Sequence, residues 1–192
     1  ARVAWSSFTT APLATMEAFH PASCAPVSLM LSSDASALAI ALGANRPSDV
    51  GTPRDTLLAV RPLLEASLLS WSSESLGFRW SELLATDPVG GPPDQPRYCN
   101  AVVLVEGLVA LPTETAALDL LDGLQGLERQ FGRDRRVEQR WGPRTLDLDL
   151  LFWGEFRMDH SRLVLPHPRL HLRAFVMEPL LQAMQGSVSW SN

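Results

Sequence analysis

Apolar positions recur in two rhythms along this chain. From Ala35 to Leu42 they run almost unbroken and stop at Gly43, which predicts a buried strand. Gly43-Ala44-Asn45 then opens a loop containing Pro47, Ser48 and Asp49. Thr52-Pro53 predicts a helix N-cap followed by proline at the first helical position. Leu57, Leu58, Val60, Leu63 and Leu64 carry that amphipathic helix to about Ala66, with Pro62 as a kink. Ser75 to Leu84 predicts a second strand. Thr86 to Pro96 holds Pro88, Gly90, Gly91, Pro92, Pro93 and Pro96, a long loop of the kind used as a lid or binding loop. Tyr98 to Glu106 predicts a third strand whose polar residues Tyr98 and Asn100 share one face. Asn100 suits reading a planar ligand through its amide, or capping a turn.

Pro112-Thr113-Glu114 starts a second helix, through Leu118, Leu121, Leu124 and Leu127 to about Phe131, where Gly132 breaks it. Gln125 and Glu128 lie one turn apart near its end. Arg133 to Arg140 has no apolar period and predicts a mobile, charged loop. A strand from Leu146 to Phe152 or Trp153 follows, then a short hairpin through Arg157-Met158 and Arg162–Leu165. Pro166-His167-Pro168-Arg169 is an extended turn, and Leu170 onward is a last helix. His167, Arg169 and Arg173 cluster near its start, where a helix N-terminus favours anions. Val188 and Trp190 suggest a final strand. The order predicts an α+β fold, a ferredoxin-like βαββαβ antiparallel sheet with helices packed on one face and a C-terminal hairpin/helix addition.

Candidate chemistry concentrates in Arg140–Leu151. Asp147 and Asp149 are two apart on a strand and project side by side, opposite Leu146, Leu148 and Leu150. Paired carboxylates repel unless a cation sits between them, and hard oxygen ligands suit Mg²⁺. Arg140 and Arg144 stand just upstream, placed to grip phosphates in forked contacts. The same spacing also describes a solvated strand face.

Composition narrows this further. The net charge of −5 argues against general nucleic-acid binding. Between Glu128 and Arg173, however, ten Arg face seven acids, a local +3 that leaves −8 elsewhere. All sixteen basic residues are Arg, so every mechanism that needs a catalytic or phosphate-gripping lysine is excluded. Cys24 and Cys99 suggest neither a disulfide framework nor a zinc site. No apolar run reaches membrane-spanning length. Residues 1–34, rich in Ser, Ala, Thr and Pro, are expected to be a disordered extension ahead of a single domain at 35–192. The alternative is an organelle transit peptide; otherwise the setting is cytoplasmic.

Arg140-Trp-Gly-Pro-Arg-Thr-Leu-Asp-Leu-Asp-Leu-Leu151 resembles the signature of the 6-hydroxymethyl-7,8-dihydropterin pyrophosphokinase family of folate biosynthesis. Gly43-Ala44-Asn45 is similar to that family's Gly-Ser-Asn loop. Thr86–Gly90 with Gln95–Ala101 resembles its pterin-side loop and strand, and Pro166–Phe175 its late motif, with Leu172 in place of Glu. The resemblance covers about Ala37 to the C-terminus. It implies transfer of pyrophosphate from ATP to the pterin hydroxymethyl group, giving AMP and the pterin diphosphate. It implies two Mg²⁺ on Asp147 and Asp149, and ATP as co-substrate. Arg144, Arg133 and Arg136 would act on the triphosphate. Gln125, Glu128, Arg162, His167 and Arg173 would bind ATP. Thr86, Val89, Tyr98, Asn100, Trp141 and Phe175 would bind the pterin, with Tyr98 and Phe175 stacking on the ring. The implied partners are these small molecules, with no nucleic acid and no membrane, and the implied state is a monomer. Competing readings are an RNA-binding module, which needs exposed aromatics on a basic sheet, a phosphohydrolase using the same carboxylates, and one activity of a longer chain.

Overall fold

The computed structural model describes residues 36–73, 75–139 and 141–190. The expected extension at residues 1–34, and Arg140, lie outside them. The main sheet comprises β1 (Ser36–Ala44), β2 (Gly77–Trp80), β3 (Leu84–Thr86), β4 (Tyr98–Leu108) and β5 (Asp147–Trp153). Its order is β2-β4-β1-β5, with β3 also on β4, and every pairing is antiparallel. Helices α1 (Pro53–Ser72) and α2 (Glu114–Gln130) provide the crossovers, and the expected fold class stands. A hairpin of β6 (Met158–His160) and β7 (Leu163–Leu165) follows, then a 3-10 turn at Leu170–Leu172 and α3 (Ala174–Gln185).

The alternation of β1 sorts two cores. Leu38, Ile40 and Leu42 face α1 and α2 with Val103, Val105, Leu148 and Leu150. Ala37 and Ala39 face the other way, beside Val102, Leu104 and Leu151, against Val176, Leu180 and Ala183 of α3. The two crossover helices share one face as expected, and the C-terminal addition α3 covers the other. The methyl-sized side chains of β1 let α3 pack closely on the opposite side. A register shift in the β1–β5 pairing follows Ile40↔Leu150, so Leu151 is the extra residue. Asp147, Asp149 and Leu151 thereby keep to the α3 face.

Local chemistry explains the element ends. Thr52 and Asp55 form a reciprocal capping box at the start of α1. The helix continues past Ala66 because Leu68 buries one turn further on. The expected strand Ser75–Leu84 is split. Ser81 is fully buried, its N–H donates to Val102 O at 3.0 Å, and its hydroxyl accepts from Val102 N at 2.9 Å. The hydroxyl takes over a ladder bond, and the chain bulges before β3 resumes. The last helix begins at Ala174 rather than Leu170, with Arg173 as its N-cap residue.

No strand forms at Val188 and Trp190. Instead Val188 N donates to Trp80 O at 2.9 Å, Trp190 Nε1 donates to Ser81 O at 2.7 Å, and the two indoles meet edge to face at 4.8 Å. Arg79 donates to Ala183 O at 3.0 Å and also to Met184 O, satisfying carbonyls at the end of α3.

Candidate active site

Because α3 covers only part of its sheet face, the strand ends before it stay open as a cleft of about 340 Å³. Its floor is set by register. Gly43 of β1 lies between Asn100 of β4 and Asp147 of β5, and Ala41 lies between Val102 and Asp149. A Cβ on Gly43 would fall 2.9 Å from Asn100 Oδ1, so only glycine lets that amide sit there. Asn45 then ties the rim together. Its Nδ2 donates to Pro96 O at 3.1 Å, and its Oδ1 accepts from Arg144 N at 2.8 Å.

One half of the cleft is built for charge. Asp147 pairs with Arg133 and Arg144, with Arg135 at 3.6 Å. Burial opposes its ionisation, but Arg133 and Arg144 outweigh it and hold Asp147 below the usual carboxylate range. Asp149 behaves oppositely. Repulsion from Asp147 and then burial push it up to about 7, while Arg173 Nη1, 3.8 Å away, pulls only weakly downward. His167 lines the same wall. Burial first, then Arg173 and Arg169, lower its pKa, so it is neutral at pH 7. Its Nδ1 accepts from Arg169 N at 3.2 Å, which leaves the proton on Nε2.

The donor set fits Mg²⁺. Asp149 stands beside a second carboxylate whose repulsion Arg173 does not cancel, and both Asp residues line the cleft. Among the described residues no group of three or more His, Cys, Asp or Glu could hold a metal. An ion at the Asp pair must therefore complete its shell with water and substrate oxygens, which is the habit of Mg²⁺.

The other half is flat and less charged. Tyr98, Asn100, Thr86, Val89, Trp141 and Phe175 all line it. Asn100 Nδ2 donates to Thr86 Oγ1 at 2.7 Å, which fixes the amide orientation. Tyr98 donates to Gly142 O at 3.4 Å, and burial raises its pKa. Gly91 touches the opposite loop: a Cβ there would run into the Trp141 carbonyl oxygen.

The remaining expected residues are placed differently. Glu128 is 1% exposed, not at the mouth of a site. Its carboxylate accepts from Arg133, Arg135 and Leu148 N, each at 2.8 Å. Arg133 is correspondingly buried, so the first residue of the expected loop is tied down while Arg136 and Val137 beyond it are exposed. Gln125, Glu128 and Arg136 line a neighbouring hollow that shares Arg133 and Arg135 with the cleft. Arg136 points outward and pairs with Asp134. Arg162 lines neither hollow and pairs with Asp122 on α2.

Arg135 and Asp87 line the cleft without having been assigned a role, and Arg169, expected only in the anion-favouring cluster with His167 and Arg173, lines it too. The alternation of Arg133 and Arg135 was the available signal for the first, since both reach Glu128. Asp87 pairs with Arg97 at 3.0 Å across the base of the Thr86–Pro96 loop.

A family model described as 7,8-dihydro-6-hydroxymethylpterin-pyrophosphokinase matches residues 39–185. A Pseudomonas aeruginosa 2-amino-4-hydroxy-6-hydroxymethyldihydropteridine pyrophosphokinase is 51% identical over 100 residues, 52% of this chain and 56% of that one. A Haemophilus influenzae protein of the same name is 41% identical over 143 residues, 74% of this chain and 78% of that one. An Arabidopsis thaliana "Folate synthesis bifunctional protein, mitochondrial" is 41% identical over 95 residues, 50% of this chain and 16% of that protein. The cleft of strand-borne carboxylates and the match across most of the chain lead to one assignment: the chain belongs to the 7,8-dihydro-6-hydroxymethylpterin pyrophosphokinase family.

Proposed function

We propose that this chain transfers the β,γ-pyrophosphoryl unit of ATP to 6-hydroxymethyl-7,8-dihydropterin, giving AMP and the pterin diphosphate. One observation carries the reading: a single cleft joins an Arg-walled carboxylate pair to a flat, amide-bearing pocket. The first half suits a triphosphate and the second a planar ring.

Asp147 and Asp149 would hold two Mg²⁺. Such ions neutralise phosphate charge and make a coordinated hydroxyl more acidic. Asn100, with Thr86 beside it, hydrogen-bonds the ring edge, and Tyr98 and Phe175 pack on its faces. This places the hydroxymethyl oxygen toward Asp149. A new bond from that oxygen to the β-phosphorus forms as the bridge to the α-phosphate breaks. AMP leaves, and the hydroxyl proton passes to water. Arg133, Arg135, Arg144 and Arg173 trade contacts with Asp147 and Asp149 for phosphate oxygens, which keeps the cleft near charge balance. His167 offers its Nε2–H to a phosphate oxygen without adding charge. Gln125 and Glu128 border the nucleotide side, with Arg136 on its outer margin; Arg162 would have to leave Asp122 to reach ATP. Trp141 covers the ring.

The test is AMP formation from ATP and Mg²⁺, with and without the pterin, for the wild type and Asp149→Ala. Pterin-dependent AMP that drops by about 10³-fold in the variant is expected. ADP released without pterin would overturn the reading in favour of a hydrolase. Metal titration with a non-hydrolysable ATP analogue should give two ions per chain, and a single ion would refute that count. We further propose that the chain acts as a monomer, which sedimentation at micromolar concentration checks; a dimer mass would overturn it. Among the described residues no helix is long and apolar enough to cross a membrane. We place the domain at 35–192 in the cytoplasm, unless residues 1–34 direct a fused fluorescent protein to an organelle.

A further inference from the structure

Four arginines of the cleft engage carboxylates: Arg133, Arg135 and Arg144 on Asp147, and Arg173 on Asp149. A fifth cleft arginine, Arg169, faces a ring instead. Its guanidinium carbon lies 5.2 Å from the centroid of Trp141. The two ends of this contact differ in how firmly the backbone is held.

Arg169 sits on a short turn between Pro168 and the Leu170–Leu172 helical turn. Its N–H donates to His167 Nδ1 and its carbonyl accepts from Leu172 N, both at 3.2 Å. His167 N in turn donates to Leu151 O of β5 at 2.7 Å. The turn is therefore fixed to the sheet. Trp141 is the tip of the loop entering β5. Its φ is 59°, a left-handed angle uncommon for a bulky residue, and it is 45% exposed. A guanidinium over an indole so placed helps to hold it, because the negative π-face attracts the cation. The Trp141 carbonyl also abuts Gly91, so whatever fixes Trp141 fixes the approach of the Thr86–Pro96 loop as well.

We propose that Arg169 is a positioning residue that pins Trp141 over the flat half of the cleft and so closes both rim loops onto the ring of the substrate. The identity of that substrate rests on the pyrophosphokinase reading. The pin itself does not.

The experiment compares wild type, Arg169→Met, Arg169→Lys, Trp141→Ala and the Arg169→Met/Trp141→Ala pair. Arg169→Met should raise the pterin KM about threefold to fivefold, the worth of a half-exposed contact of this kind. The ATP KM should stay within about twofold, and Arg169→Lys, which keeps the cation, should recover most of the loss. In the Trp141→Ala background the Met substitution should add nothing, because its effect passes through the indole. A rise in the ATP KM instead, or effects that multiply in the pair, would overturn the proposal and make Arg169 a phosphate contact. A second readout needs no turnover. In ligand-free protein, the acrylamide quenching lost on Trp141→Phe isolates Trp141, and it should increase when Arg169 is Met. Unchanged quenching would also overturn the pin. A wild type without pterin-dependent AMP would instead defeat the reaction assignment, with the quenching result standing apart.

Discussion

On the floor of the cleft, Gly43, Asn100, Asp147 and Asp149 are placed by strand register; on its rim, Gly91, Trp141 and Arg169 are placed by turns and by side chains reaching across gaps. A floor residue is held by ladder bonds, on both sides for Gly43 and Asn100 and on one side for Asp147 and Asp149, and by the core beneath it. A rim residue is held by turn geometry and by side-chain contacts, without a ladder. Damage to the floor should therefore reach stability and chemistry together, while damage to the rim should reach binding and leave the fold in place. The largest expected effect lies at the joint between the two. Glu128 accepts from the floor at Leu148 N and from the rim at Arg133. Glu128→Ala breaks a buried ion pair and leaves Leu148 N without its acceptor, and should cost about 3–5 kcal/mol in urea denaturation. A loss under about 1 kcal/mol would mean that the two regions are not joined there.

Gly43→Ala tests the floor. Its Cβ would press on Asn100 Oδ1, and the forced shift should cost about 1–3 kcal/mol while lowering pterin affinity. Gly91→Ala tests the rim. A left-handed angle costs alanine about 1 kcal/mol, and the loop is expected to relieve its clash with Trp141 by moving. The pterin KM should rise while the kcat at saturation holds, and equal losses in both would erase the distinction.

The smallest expected effect sharpens the contrast within the floor itself. Asp149 is raised to about 7 in the folded protein, so between the unfolded carboxylate value and about 7 the folded state binds the extra proton. Stability of the Mg²⁺-free protein should fall as pH rises through that window, and Asp149→Asn should flatten the fall. Asp147 is lowered, so its contribution is present above the unfolded value and is lost only in stronger acid. Melting temperatures across pH check both signs. A rising curve between pH 4 and pH 7 would refute the assignment for Asp149.

Much of the floor was legible in the sequence because strand alternation dictates it. Asp147 and Asp149 share a face for the same reason that Leu148 and Leu150 share the other, and Thr52-Pro53 announced α1 through a local hydrogen bond. What escaped depended on distant partners. Nothing near Ser81 shows that its hydroxyl will replace a ladder bond to Val102. The amphipathic pattern of α3 says that it buries a stripe, but not on which side of the sheet. Glu128 reads as one more exposed helix acid until Arg133, five residues on, folds back onto it. Arg162 carries a charge suited to phosphate, yet Asp122 captures it.

The bond from Val188 N to Trp80 O has a consequence for the life of the chain before it is complete. β2 and β5 are the outermost strands of the sheet, and an outer strand is a template for any other extended chain. Both are partly occupied by segments that come late in the sequence: Val188 on β2, and His167 on Leu151 of β5. During synthesis the sheet can form before either arrives. The nascent protein then carries two sticky borders until the stretch holding His167 and Val188 emerges. Any variant that loosens that stretch should first appear as poor yield and clumping, not as a slow enzyme.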